Sequence, residues 1–339
     1  MTSLYYPDWE FLEVRDLPVP PVSDREVLLK VAACGICGSE LETFKKRSPR
    51  RTPPLIMGHE FCGTIADAGT SRDFSAGQRV ISNSIVTCGA CRPCLRGNVH
   101  LCERRMVFGM HRPGAFAEFV SVPVSCLIPW PENLPSKAAC LAEPLANGVH
   151  VVNRVRHHEP QVAVVIGAGP IGLMCQQALH VMLGAKVIVS DIAPERLATA
   201  GRLGAYAALD PGGAALEATA LEASNGEGVD LVVDAVGSAT TKQQSLRLVR
   251  PGGAVVWIGL HEDNIPFDSY AVTLAEKTVY GSYAARLDEL RQAVGLMSQK
   301  KVDVESWVQA FPLREGVAAF HRMLDAKGFD IKGVLITEG

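Results

Sequence analysis

The sequence predicts an α/β protein of two lobes, one rich in β-strand and one a doubly wound parallel sheet with helices on both faces. Three observations carry this expectation. All ten cysteines lie between Cys34 and Cys175, so the two parts of the chain differ in construction. Up to about residue 150, glycine, proline and short apolar runs punctuate the chain. From about Gln161, apolar runs alternate with helical patterns, and strands connected in that way pair in parallel under helical cover. The 339 residues, 47% hydrophobic and 20% charged, suffice for two cores and exclude disorder as the main state.

In the first part, residues 27–31, 79–81 and 117–122 read as short strands between turn signals. Further on, the apolar run 162–166 leads through a glycine turn into a helical pattern ending at Leu183. A strand at 186–190 and a helix at 194–203 follow, then strands at 229–234 and 253–259 with a helix at 241–249 between them. The tail carries helices at 287–298 and 314–324 and a last strand at 332–336. There is no fixed-period repeat.

A net charge of −3 supplies no positive field for nucleic acid or an anionic membrane. No apolar stretch reaches the roughly 20 residues of a membrane span. The cysteines are too sparse for a secreted disulfide scaffold, and residues 1–9 have neither a basic nor an apolar signal segment. A cytoplasmic protein whose cysteines do chemistry rather than cross-linking is expected.

Gly167-Ala-Gly169-Pro170-Ile171-Gly172 follows one predicted strand and opens one predicted helix. Its glycines serve a tight turn, a close approach to pyrophosphate and helix–strand packing, and the helix N-terminus favours the anion. Asp191 ends the next strand, about 20 residues on, where a carboxylate binds the ribose hydroxyls of NAD and repels a 2′-phosphate. Arg196 lies close by and suits either cofactor; NAD is the expected one.

Cys88, Cys91, Cys94 and Cys102 are spaced C-x2-C-x2-C-x7-C in a loop-like segment. An iron–sulfur run would place cysteine before a proline at 98–99, where Asn98 and Val99 stand, and disulfides conflict with a reducing compartment. A closed four-thiolate zinc site, structural rather than catalytic, is expected. A second set is dispersed: Cys37 in Gly35-Ile-Cys-Gly-Ser39, His59 and Glu60 in Gly58-His-Glu, and Glu143 in Ala142-Glu-Pro-Leu. Singly, each has a structural reading as a small core thiol, a buried histidine or a helix-start carboxylate.

Together these motifs, with Asp234-Ala-Val-Gly237, Arg250-Pro-Gly-Gly253 and Gly281-Ser-Tyr283, resemble the zinc-dependent medium-chain dehydrogenases, most closely their polyol (sorbitol-like) and threonine dehydrogenase branch. The resemblance runs nearly end to end. It implies a GroES-like catalytic domain at 1–150 with a structural zinc lobe, a Rossmann NAD domain at 151–284, and a tail at 285–339 that returns to the first domain. The active cleft is expected where the domains meet. It also implies two zinc ions per chain and a small-molecule alcohol substrate, with hydride passing from a secondary alcohol of a polyol, sugar or amino-alcohol to NAD. Cys37, His59 and Glu143 are the expected catalytic zinc ligands, with Glu60 in an exchange role. Ser39 matches the hydroxyl that starts the proton relay, and Glu40 the carboxylate that orients the ligand histidine. Glu42 stands where many relatives carry the outer histidine of that relay. A homodimer or homotetramer is expected, with no nucleic acid or membrane partner. An aldehyde-acting dehydrogenase or dismutase on the same scaffold, or a silent NAD- and zinc-binding protein, are the alternatives.

Three further features bear on substrate. Lys45-Lys-Arg-Ser-Pro-Arg-Arg51 reads as a solvated loop, or more sharply as an attractor of acidic or phosphorylated substrates. His111 and Arg112 lie in a loop that either faces the substrate or lies on the surface. Cys34, Cys62, Cys126, Cys140 and Cys175 read as inert core thiols.

Overall fold

The computed structural model describes residues 1–212 and 214–337, which form two compact units. The first holds Met1–Glu143, Arg286–Lys300 and the chain from Val304 onward; the second holds Pro144–Ala285 with Lys301–Asp303.

The first unit is built on a seven-stranded sheet. Its strands run in the order Leu127–Pro129, Arg79–Ser82, Glu60–Asp67, Glu26–Gly35, Lys332–Ile336, Val308–Pro312, with Phe119–Pro123 also paired to Glu26–Gly35. Only Val308–Pro312 and Lys332–Ile336 pair in parallel. Side chains alternate along Glu26–Leu29, with Val27 and Leu29 fully buried, and the strand is buried throughout from Val31 to Gly35. Phe61, Phe108, Phe116 and Phe320 fill the core around it. Register at the strand end positions chemistry: Gly35 lies opposite Glu60 on one side and Val334 on the other.

The second unit is an all-parallel six-stranded sheet in the order Ala207–Leu209, Lys186–Ser190, Val162–Ile166, Val229–Asp234, Val249–Trp257, Thr278–Gly281. The central Val162–Ile166 is buried at every residue, as a strand covered on both faces must be. Chain order reverses between Val162–Ile166 and Val229–Asp234, so the crevice beyond their carboxyl ends is the ligand position of this topology.

The elements differ from the expected ones in instructive places. The strands Ala207–Leu209 and Thr278–Gly281 and the helix Ala214–Ala223 carry no sequence signal strong enough to be anticipated. The two strands are short and half-buried edges, and Ala214–Ala223 is alanine-rich on all sides, so its buried face of Leu216, Ala220 and Ala223 does not stand out. The strand expected at 253–259 begins earlier, at Val249, because Arg250-Pro-Gly-Gly253 continues extended with an irregular register, and it ends at Trp257. Among the described residues, no helix is long and apolar enough to cross a membrane.

Candidate active site and metal centres

The strand Glu26–Gly35 runs out into Cys37, whose extended backbone precedes the helix Gly38–Lys46. Glu40, in the first turn of that helix, is fully buried. Its Oε2 accepts the Cys37 N–H at 2.9 Å, and its Oε1 accepts the Gly58 N–H at 2.8 Å and faces His59 Nδ1 at 2.9 Å. One carboxylate therefore ties two loops together. A carboxylate only accepts, so Nδ1 carries a proton, and Nε2 is the nitrogen whose lone pair can serve a metal. Burial opposes charge on both partners, yet mutual attraction, with Arg51 adding to it at Glu40 and Cys37 at His59, holds Glu40 below and His59 well above their ordinary pKa values. Gly58 is required here. Its φ is +99°, and a Cβ would lie 2.7 Å from the Phe116 ring and 2.8 Å from Cys34 Sγ.

The ligand atoms of Cys37, His59 and Glu60 all lie within 4.8 Å of one another. A thiolate, an imidazole and a carboxylate so arranged suit a divalent transition metal with a position left open. Ser39 Oγ donates to Cys37 Sγ at 3.3 Å. Glu60 is ion-paired with Lys332, and both side chains are only 2% exposed. Burial disfavours the Lys332 charge, but Glu60, Cys37 and Glu40 overcome it and raise its pKa.

Glu143 is placed differently from the expectation that grouped it with Cys37 and His59. It is buried in the first turn of the helix Ala142–Val155, hydrogen-bonded to Ser84, and outside the converging set. Burial raises its pKa, with the Glu60 charge adding and His59 opposing. The Gly35–Glu60 pairing brings Glu60 within 4.8 Å of Cys37 and His59, while Ser84 engages Glu143.

The basic run is solvated, as expected from its composition, at Lys45, Lys46, Arg47 and Arg50, and Arg51 is the exception. Arg47 and Lys46 pair at the surface with Glu10 and Glu42, the latter at 2.8 Å, so the Glu42 carboxylate is engaged by a lysine one turn on. Arg51 is 2% exposed and therefore unavailable to attract anions. In the 108–114 loop, His111 Nδ1 accepts the Val107 N–H at 3.0 Å. Arg112 pairs with Glu26 at 2.8 Å and lies over the Phe108 ring. Both side chains tie the loop to neighbouring strands, at Val107 and at Glu26 and Ser121. Sequence reasoning missed Arg51 and Lys332, and the one available signal was a lysine opening an otherwise apolar strand.

Cys88, Cys91, Cys94 and Cys102 bring four sulfurs within 4.8 Å, with Cys91 Sγ 3.4 Å from that of Cys94 and 3.8 Å from that of Cys102. All ten cysteines are free. The short helix Arg92–Leu95 and the turn Val99–Leu101 fold this lobe around its sulfurs. N–H groups of Ala90 and Cys91 on the Cys88 sulfur pull its pKa down to about 6, readying one thiolate. Cys34, Cys126, Cys140 and Cys175 are buried, and burial pushes their thiols up. Cys62 is buried as well.

In the second unit, Gly167–Gly172 joins the Val162–Ile166 strand to the helix Pro170–Leu183. A Cβ on Gly172 would lie 1.7 Å from the Gly167 oxygen, while one on Gly169 would meet nothing within 4 Å, so the turn is closed on the inside and open on the outside. The first-turn N–H groups of the helix have no intrahelical partner and favour an anion in that open space. Asp191 is buried, its Oδ2 accepting the Ala168 N–H at 2.6 Å and its Oδ1 the Ala193 N–H at 2.8 Å. Each oxygen keeps a lone pair for a ribose hydroxyl. Arg196 is half-buried in the first turn of the helix Pro194–Arg202. Asp234, which opens the Asp234-Ala-Val-Gly237 motif, is fully buried and accepts the N–H groups of Val236 and Gly237 at 3.0 and 2.9 Å, shaping the loop beside Gly167.

Comparison with known proteins agrees with this chemistry. Residues 23–132 match the family described as alcohol dehydrogenase GroES-like domain, and residues 170–299 match zinc-binding dehydrogenase. L-Galactonate-5-dehydrogenase of Escherichia coli K12 is 31% identical, over 95% of this chain and 94% of its own. An L-threonine 3-dehydrogenase of Bacillus licheniformis is 32% identical over 94% of each. The crystal structure of an alcohol dehydrogenase from Escherichia coli CFT073 complexed with NADH superposes with a TM-score of 0.91 at 26% identity, over 99% of both chains. The chain belongs to the zinc-dependent medium-chain dehydrogenases, in their polyol and threonine dehydrogenase branch. It is an oxidoreductase that oxidises secondary alcohols with NAD and zinc as cofactors.

Proposed function

We propose that this enzyme oxidises a secondary hydroxyl of a polyol, sugar or amino-alcohol, with Cys37, His59 and Glu60 holding the catalytic zinc at rest and Glu143 exchanging into its shell. The convergence of the three ligand atoms within 4.8 Å carries this reading. Zinc at such a site supplies Lewis acidity, favouring loss of the alcohol proton near neutral pH. Glu40 holds His59 in the tautomer whose Nε2 is free to bind. Ser39 accepts the alcohol proton and passes it on. The four cysteines 88, 91, 94 and 102 bind the second zinc, which stabilises their lobe. Gly167, Gly169, Pro170, Ile171 and Gly172 receive the pyrophosphate of NAD, and Asp191 its ribose, with Arg196 alongside. The domains carrying these roles are the N-terminal part with the tail, and residues 151–284.

The relatives acting on L-galactonate and L-threonine support a polar, hydroxylated substrate. Ten free thiols support a cytoplasmic setting, and the family resemblance supports a homo-oligomer. The test is NADH formation with a panel of polyols, inositols, hydroxy-amino acids and sugar phosphates. At least one is turned over, and zinc-replete Cys37→Ser is inactive on it. Full activity in Cys37→Ser overturns the zinc assignment, and turnover of aldehydes alone favours the aldehyde-acting alternative.

A further inference from the structure

Arg51 is the one member of a five-residue basic cluster whose guanidinium is withdrawn from water. It donates four hydrogen bonds. Nη2 bonds Ser39 Oγ at 3.0 Å, Nη1 bonds the Ser39 carbonyl at 2.9 Å and Thr43 Oγ1 at 3.2 Å, and Nε bonds the Gly109 carbonyl at 3.0 Å. Two of the four go to one serine. A serine hydroxyl has two lone pairs and one proton. Arg51 takes one lone pair of Ser39 Oγ, and Cys37 Sγ receives the proton. The remaining lone pair is thereby aimed, and a side chain that otherwise rotates freely is held in one setting.

The charge matters as well as the geometry. Hydrogen bonds from an ionised donor are stronger than neutral ones, and a buried guanidinium stabilises negative charge building on the oxygen it touches. Arg51 stays protonated, so it gives or takes no proton itself. Glu42, the outer residue in sequence terms, is engaged by Lys46 at the surface.

We propose that Arg51 is a positioning residue for proton removal, fixing and polarising the Ser39 hydroxyl; the inference rests on the role assigned to Ser39 above. The step balances at Ser39. The Oγ proton turns from Cys37 Sγ and leaves to solvent water, negative charge builds on Oγ beside Arg51, and the O–H bond of the alcohol breaks as its proton goes to Oγ. Ser39 ends as a neutral hydroxyl, and Arg51 is unchanged.

The test is a double-mutant cycle on zinc-loaded enzyme: wild type, Ser39→Ala, Arg51→Met and the pair, with kcat, its solvent deuterium isotope effect, zinc per chain and Tm recorded. Expected are losses of about 100-fold in kcat for each single variant, with the pair within about twofold of Ser39→Ala, since both remove one proton-transfer function. Zinc content stays at the wild-type value, and the isotope effect changes alike in both singles. Losses that multiply in the pair, or wild-type kcat in Arg51→Met, overturn the role of Arg51 while leaving that of Ser39. Wild-type kcat in Ser39→Ala overturns both. If Arg51→Met does not fold, Arg51→Lys replaces it. Keeping the charge without the planar fork, it lowers kcat about tenfold in the wild-type background and not in Ser39→Ala; equal losses in both backgrounds overturn the proposal.

Discussion

Glu40 Oε1 stands 2.9 Å from His59 Nδ1 and accepts the Gly58 backbone N–H at 2.8 Å, while the other oxygen of the same carboxylate holds the Cys37 N–H. The residue that orients the histidine is thus also the residue that fixes the loop of the thiolate. Glu40→Gln keeps the shape but gives up the charge, and partners of this kind are worth about 10–100-fold in metal affinity. Chelator competition is expected to show that loss at one zinc only. Glu40→Asp, too short to span all three contacts, falls between. Wild-type affinity in Glu40→Gln counts against the arrangement.

The four-sulfur lobe makes a separate forecast. Cys94 is buried among the sulfurs, and its replacement by serine removes a thiolate without removing the other site's donors. Metal analysis of Cys94→Ser should find about one zinc per chain where the wild type has about two, together with a lower Tm, because a structural zinc contributes directly to folding. Two zinc ions retained in this variant would contradict a closed four-thiolate site.

Asp191 links cofactor choice to the glycine turn through its bond to the Ala168 N–H. Asp191→Asn keeps one oxygen for the Ala168 N–H, sets its NH2 against the Ala193 N–H, and deletes the charge proposed to bind the ribose and repel a 2′-phosphate. Steady-state kinetics should show kcat/KM for NAD falling about tenfold or more, in line with about 1.5–3 kcal/mol for a charged hydrogen bond, and kcat/KM for NADP rising. A higher kcat/KM with NADP than with NAD in the wild type would reverse the preference stated here.

Asp230 predicts a pH dependence of stability. Its Oδ2 accepts the N–H groups of Gln161 and Val162 and its Oδ1 the Arg250 Nε, all at 2.9 Å. Burial raises its pKa, but the Val162 N–H, the Arg250 guanidinium and the Gln161 N–H outweigh burial and leave it lowered. A carboxyl held below its unfolded value stabilises the fold above that value, about 3.9, and the contribution vanishes as pH falls through the folded value. Asp230→Ala should cost about 1–3 kcal/mol in urea unfolding at pH 7, and the gap from wild type should narrow below about pH 4. A gap independent of pH would assign the effect to packing alone.

Legibility followed the range of the interactions involved. The Gly167–Gly172 turn, the acidic strand end at Asp191 and the four cysteines are local patterns, since the backbone geometry or ligand spacing they need is met within a few residues. The helix at Leu287–Ser298 and the strand at Lys332–Ile336 were read at their observed bounds, because periodicity and apolar runs are local too. The family motifs extended this to the scattered Cys37, His59 and Glu143, with Glu60 in an exchange role, whereas the ligand atoms that converge are those of Cys37, His59 and Glu60. Composition alone misjudged Arg51: a basic run is solvated on average, and only a partner such as Ser39 decides which guanidinium goes inside.

By itself, then, the sequence determined the class of chemistry. Four cysteines at metal-binding spacing and a glycine turn on an apolar strand admit few other uses, and the family resemblance adds the dispersed thiol, imidazole and carboxylates. Tertiary structure decided which carboxylate lies within 4.8 Å of the Cys37 and His59 ligand atoms, and which cation stands behind it. Gly35 pairs with Glu60 on one side and Val334 on the other, so residues far apart in the chain become neighbours at one strand end. That register brings Glu60 beside Cys37 and sets buried Lys332 against it, whereas Glu143, hydrogen-bonded to Ser84, lies outside the converging set. The physical reason is that a buried charge persists only beside its partners, and those partners are chosen by strand pairing across hundreds of residues rather than by spacing within a motif.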